Sequence, residues 1–206
     1  MKRRDFIQLT AAAGAGLMTA PSWAITPELD TNYKKVPQKV DIAPHKYSVV
    51  EVFGYTCPHC HELEPSLHDW LKTKPDNVHF QRMPAVFNSP NWIFMARVFY
   101  TSQELGVLDK AHNKFFDALH IDNIQITSVE DVADFYTQFG VKKEDFINTF
   151  KGFKVDQLVR NAAKLTRQYG IEGVPSVIVN GQFLTDVPMA KGKPEMWELV
   201  DKLTKL

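Results

Sequence analysis

The chain contains two cysteines, and both fall in one tetrapeptide, Cys57-Pro58-His59-Cys60. A bond between them would close a loop of two intervening residues, and so small a loop removes little entropy from the unfolded chain. A structural disulfide is therefore a poor account of the pair, and a redox pair is a good one. Pro58 stands where a helix would begin, at the first position, where a missing N–H costs nothing. Cys57 is then the N-cap. The free N–H groups and partial positive charge of a helix start favour a thiolate there, and a protonated His59 adds to the effect. A cysteine so placed is a reactive nucleophile and equally a good leaving group. Cys60, about one turn further on, is expected to be shielded and to act as the resolving thiol.

The surrounding pattern supplies the elements that must hold this pair. Tyr47 to Tyr55 is rich in β-branched and aromatic residues and reads as a buried central strand that ends just before Cys57. Helical spacing follows through Leu63, Leu67, Trp70 and Leu71 to about Lys74, with Pro65 as an expected kink. Val78 to Met83 alternates as a second strand, and Tyr33 to Val36 offers a short edge strand. From 91 to 169 the period is helical. Within that block Ser128 and Asp131 resemble a capping box opening a helix through Phe135, Gly140 is placed to end it, and a further helix spans Val155 to Tyr169. Asn180-Gly181 between the apolar runs Val177–Val179 and Gln182–Leu184 is a strong hairpin signal, and Met196 to Leu203 closes the chain as an amphipathic helix. The order is that of an α/β core interrupted by a long helical block.

Other readings of the polar residues compete at this stage. Cys57 to His61 also spells Cys-x-x-Cys-His, the haem-attachment signature of c-type electron carriers. A zinc site would have to recruit distant histidines such as His68 or His79. His45, His79, His112 and His120 have no partner spacing, and each reads as a surface or satisfied core residue. Glu51 inside the first strand reads, from the residues alone, as an exposed edge glutamate, since glutamates are seldom buried. The aromatic stripe of the helical block is core packing first; members exposed near Cys57 would form a groove for unfolded substrate.

Of 206 residues, 44% are hydrophobic and 23% charged, a balance that excludes disorder and low complexity and fits one soluble domain with a self-sufficient core. Lysines and arginines number 24, as do aspartates and glutamates, so there is no electrostatic footprint for nucleic acid. Residues 1–24 follow the plan of an export signal: Lys2, Arg3 and Arg4, an apolar stretch from Leu9 to Ala20, and small residues at Ser22 and Ala24. The apolar stretch is shorter than the ~20 residues needed to cross a bilayer. Arg3-Arg4-Asp5-Phe6-Ile7 resembles a twin-arginine signal, and a general secretory signal fits equally. Both place a mature domain of residues 25–206 in the periplasm.

Cys57-Pro58-His59-Cys60 after a strand ending in Phe53-Gly54-Tyr55, a long helical insertion, and Gly173-Val174-Pro175 before an Asn-Gly hairpin together resemble the DsbA family of periplasmic thiol:disulfide oxidoreductases. The Val-Pro site lies 115 residues beyond Cys60, and a plain thioredoxin has no room for such an insertion. The resemblance covers Val49 to Leu206. It implies a thioredoxin fold interrupted by a helical insertion at about 91–169, and a catalytic set of Cys57, Cys60, His59 and Pro58. It also implies that the Val174–Pro175 bond is cis, with Val174 offering its backbone to substrate. Glu51 then matches the family's buried acid, fitted to relay the proton of Cys60, and Arg82 falls where the family carries a basic partner. The implied activity introduces disulfides into reduced, unfolded exported polypeptides without a cofactor or metal. The implied partner is a quinone-linked inner-membrane oxidase of the DsbB type, and the expected state is a monomer. The rivals are a disulfide reductase or isomerase, a c-type haem carrier, and a non-catalytic chaperone.

Overall fold

A computed structural model describes residues 25–41 and 47–206; the segment 1–24 read as an export signal lies outside the described residues, as does His45. Five strands form one mixed sheet: β1 (Lys34–Lys35), β2 (Tyr47–Phe53), β3 (Val78–Pro84), β4 (Ser176–Val179) and β5 (Phe183–Thr185). Their order is β1-β5-β4-β2-β3. β2 runs parallel to β3 and antiparallel to β4, so it is hydrogen-bonded on both edges. An interior strand with both faces covered needs the near-continuous apolar run seen there. Pairing of β2 with β3 sets Glu51 beside Arg82, and pairing with β4 sets it beside Val177.

The sequence extends the first strand to Tyr55, but β2 stops at Phe53 because the chain turns at once: the Cys57 N–H donates to the Gly54 carbonyl at 3.0 Å. Helix α1 (Pro58–Thr73) then begins with Cys57 as its N-cap and contains Pro65. The block expected to be helical resolves into α2 (Pro90–Glu104), α3 (Leu108–His120), α4 (Val129–Tyr136), α5 (Lys143–Lys151) and α6 (Phe153–Gln168). The capping box of α4 is present: Ser128 Oγ accepts the Asp131 N–H, and Asp131 Oδ2 accepts the Ser128 N–H. A short 3₁₀ turn, Thr137–Phe139, follows and ends at Gly140, whose φ of 83° places it in the left-handed region. The β4–β5 hairpin turns through Asn180 and Gly181, both left-handed, as that dipeptide suits. The short α7 (Val187–Ala190), which hydrophobic period does not reveal, precedes α8 (Lys193–Leu203).

Alternation along β2 divides the core. Val49 joins Leu63, Leu67 and Trp70 of α1 and Trp197, Leu199 and Leu203 of α8. Val50 and Val52 join the cluster built on α2 to α6. Each fully buried Leu or Val contributes roughly 1.5–3 kcal/mol by leaving water. The α1–α8 contact is also directional, since the rings of Trp70 and Trp197 stack at 4.9 Å and their N–H groups reach Asp201 and Ser66.

Gly54, at the junction between β2 and the cysteines, packs against the ring of Trp92 on α2 so closely that an added Cβ would collide with it. Gly54→Ala is therefore expected to cost about 1–3 kcal/mol through overpacking. A denaturant midpoint unchanged from that of the original chain would show that Trp92 gives way freely.

Candidate active site

Both cysteines stand as free thiols, Cys57 half-buried and Cys60 buried. Cys57 has the extended backbone of an N-cap (φ −92°, ψ 115°), and the N–H groups of Cys60 and His61 close the first turn on its carbonyl. The Cys57 thiol is pulled down to about 6, first by the hydrogen bond that the Cys60 thiol donates to it and then by the backbone N–H groups of Cys60 and His59. Burial opposes this and is outweighed. Cys60 moves strongly upward, because it is buried and because it is the donor in that hydrogen bond. One sulfur is thus a stable thiolate near neutral pH and the other a reluctant one.

On the open side of the pair, the Val174–Pro175 bond is cis, as the resemblance implies. Cys57 Sγ lies 3.4 Å from the Val174 carbonyl, to which it donates while a thiol. The same segment borders a groove of about 360 Å³ lined by Val174, Pro175, Val187 and Pro188, with His59 and Lys193 at its rim. The His59 ring is exposed and sits 3.4 Å from Glu62. His61 points away from the groove: it bonds Asp117 at 3.0 Å and stacks on His120. A buried Cys60 and a His61 engaged in this way do not present the open pair and ligand that haem attachment requires.

On the closed side lies a set of charges. Glu51 is fully buried, against the edge-glutamate reading, because β2 is an interior strand. Arg82 reaches it from the next strand, Nε to Oε2 at 3.1 Å, with the N–H misaligned for a hydrogen bond. The same guanidinium donates from Nη2 to Glu64 Oε2 at 2.9 Å. Glu64 in turn meets His112 Nε2 at 3.3 Å, and His112 Nδ1 meets the Tyr55 hydroxyl at 2.9 Å. Burial, reinforced by the nearby Glu64 charge, lifts Glu51 to about 8 despite Arg82. Burial also pushes Glu64 upward, but the hydrogen bond from His112 and the charge of Arg82 outweigh it, so Glu64 ends below the usual carboxylate range. Glu51 therefore holds a proton at pH 7 and Glu64 does not. Of this set, the family resemblance flagged Glu51 and Arg82. Glu64, His112 and Tyr55 went unmarked, although a glutamate four residues after a shielded Cys60 on an apolar helix face was a usable signal.

Residues 48–204 match the DSBA-like thioredoxin domain family. The chain belongs to that family. It is 34% identical to the thiol:disulfide interchange protein DsbA of Pseudomonas syringae pv. tomato, over 97% of this chain and 94% of that protein. The DsbA of Pseudomonas aeruginosa is also 34% identical, over 97% and 95%. Its crystal structure superposes with a TM-score of 0.81, covering 87% of this chain and 93% of that one. The oxidoreductase DsbA of Xylella fastidiosa, 30% identical, superposes at 0.78 over 84% and 94%. This DsbA-family chain has the thioredoxin-like fold and the activity of those relatives: it is an enzyme of thiol:disulfide interchange, an oxidoreductase that forms disulfide bonds by exchange. Membership removes the haem-carrier and non-catalytic chaperone readings.

Two outcomes follow from the electrostatics. Alkylation of the reduced DsbA-family enzyme by iodoacetamide is expected at Cys57 alone, with a rate that rises through a midpoint near pH 6; equal labelling of Cys60, or a midpoint near the ~8.5 of an ordinary thiol, would contradict the asymmetry. Glu51→Gln leaves Arg82 paired with Glu64, so no charge is orphaned, and the loss of a buried carboxyl is expected to stabilise the fold by about 1–4 kcal/mol at alkaline pH. The sign has a pH signature. Unfolded Glu51 ionises near its ordinary value, whereas the folded group holds its proton to about 8, so the original chain loses stability as pH rises between the two. The gain from Gln should be small below pH 4.5, grow to pH 8 and then level off, as urea titrations across that range would show.

Proposed function

We propose that the Cys57–Cys60 disulfide is the oxidant that this chain hands to reduced polypeptides, with each residue of the site in a distinct role. A substrate thiolate attacks Cys57 Sγ, the half-exposed sulfur beside the groove, and Cys60 departs. Because Cys60 is a poor thiolate, it takes a proton, and Glu51, protonated at pH 7, is the acid that supplies it. A second substrate thiolate then attacks the substrate sulfur of the mixed disulfide. Cys57 leaves as a thiolate, and the substrate keeps the new disulfide. Two electrons and the sulfur–sulfur bond have changed partners. Pro58 starts the helix whose N–H groups hold the departing thiolate; His59 adds positive charge when protonated; Val174 and Pro175 present backbone and an apolar surface to the substrate.

The observation that carries the oxidising direction is the inequality of the two thiols, since a low-pKa leaving group at Cys57 favours release of oxidised substrate over the reverse. In this reading residues 1–24 are an export signal, residues 25–206 work in the periplasm, and the substrates are newly exported polypeptides. A quinone-linked membrane oxidase of the DsbB type restores the disulfide. Both thiols reside on one chain, so the chemistry runs in a monomer.

The test has two arms. Cys60→Ala should accumulate mixed disulfides through Cys57, and Cys57→Ser should accumulate none; adducts held by Cys60 would reverse the roles. The reduced protein should also melt above the oxidised one near neutral pH. The Cys57 pKa is depressed on folding, so the stabilisation is full above the unfolded pKa, partial at pH 7, and lost as pH falls through about 6. An oxidised form that melts higher from pH 3 to pH 8 would favour a reductase.

A further inference from the structure

His112 belongs to α3, in the helical insertion, and is 4% exposed. Phe53 and Phe116 close on it edge-on, each at 5.1 Å. The polar or charged groups that bear on it are Glu64 of α1, Arg82 of β3, Asp109 of its own helix, and the Tyr55 hydroxyl from the turn after β2. Burial drives its pKa down, so the ring is neutral and carries one N–H. The neighbours decide which nitrogen holds it. Glu64, an anion, only accepts, so Nε2 must be the donor at 3.3 Å; Nδ1 is then a lone pair and accepts the Tyr55 O–H at 2.9 Å.

The tautomer has a consequence two residues away. Glu51 and Glu64 share one guanidinium, so the pair carries one negative charge more than Arg82 can balance, and one carboxyl must hold a proton. Glu64 receives a donor on each oxygen, His112 on Oε1 and Arg82 on Oε2. Among the described residues, neither oxygen of Glu51 has a hydrogen-bond partner. We propose that His112 is a positioning residue for disulfide exchange: its Nε2–H fixes Glu64 as the anion of the pair and so leaves the exchangeable proton on Glu51, the acid whose charge bears on Cys60. This inference rests on the reading of Glu51 as proton donor given above.

Carboxyl carbon NMR titration of the oxidised enzyme tests it, with the Glu51 signal assigned by its loss in Glu51→Gln. In the original chain Glu51 should titrate well above the ordinary carboxylate range. In His112→Leu, which has no donor, the proton is free to move to Glu64, and the Glu51 midpoint should fall by about one pH unit or more, tenfold in proton affinity. Peptide oxidation at pH 7 should slow severalfold. His112→Gln, whose amide can donate to Glu64 and accept from Tyr55, should restore both. A folded His112→Leu with an unmoved Glu51 midpoint overturns the role of His112 while leaving Glu51 as donor. A Glu51 that titrates in the ordinary range in the original chain overturns both readings. Should His112→Leu fail to fold, ring-nitrogen NMR of the original chain still decides: an Nε2–H tautomer that persists across neutral pH supports the inference, and an Nδ1–H or doubly protonated ring overturns it.

Discussion

The coupling of the two thiols across the first turn of α1, in which Cys60 keeps its proton and Cys57 gives its own up, is the interaction around which the site is arranged. It makes two residues of the same type chemically opposite. Cys57 gains the Cys60 donor and the helix N–H groups and becomes a stable thiolate; Cys60 keeps its proton while buried, with the charge of Glu51 bearing on it. An interior strand, a tight turn at Gly54 and a helix opening on proline are the least scaffold that puts one sulfur half in solvent and the other, one turn away, inside. The cis Val174–Pro175 segment completes the open side.

The closed side carries a cost that the fold tolerates. Two buried carboxyls and one guanidinium near the cysteine pair stabilise the fold less than apolar packing would, because desolvating charge offsets much of the Coulomb gain. What the arrangement provides is an acid that stays protonated at neutral pH and whose charge bears on Cys60. Burial is the larger influence that keeps Glu51 protonated against the pull of Arg82, and the charge of Glu64 reinforces it. Glu64 is itself held by Arg82 and by His112 from α3.

The helical insertion therefore does more than enlarge the domain. Its helices α2 and α3 close over the end of β2, where Trp92 rests on Gly54 and the rings of Phe99, Phe115 and Phe116 surround Tyr55. His120 of α3 bonds the Tyr55 carbonyl at 2.7 Å, and His61 of α1 bonds Asp117 of α3 at 3.0 Å. The turn that leads into Cys57 is thus gripped by elements far along the chain. The groove beside it joins His59 and Glu62 of α1 to segments that follow the insertion.

Local chemistry was legible without coordinates. Cysteine spacing, Pro58 at a helix start, the β-branched run before it, the Ser128–Asp131 capping box and the Asn180-Gly181 turn are short-range signals, each complete within a few residues. They suffice for the α/β order and the identity of the reactive pair. The burial of Glu51, the choice of Arg82 as its partner, and the recruitment of Glu64, His112 and Tyr55 were decided by tertiary structure. The physical reason is that the charge of a carboxyl depends on which donors reach it and how much water remains. Those donors come from β3 and α3 and reach carboxyls on β2 and α1, a meeting that no local pattern records. His112 is the clearest case, since in sequence it is one histidine among seven without a motif, and in the fold its ring meets Glu64, the carboxyl that shares Arg82 with Glu51.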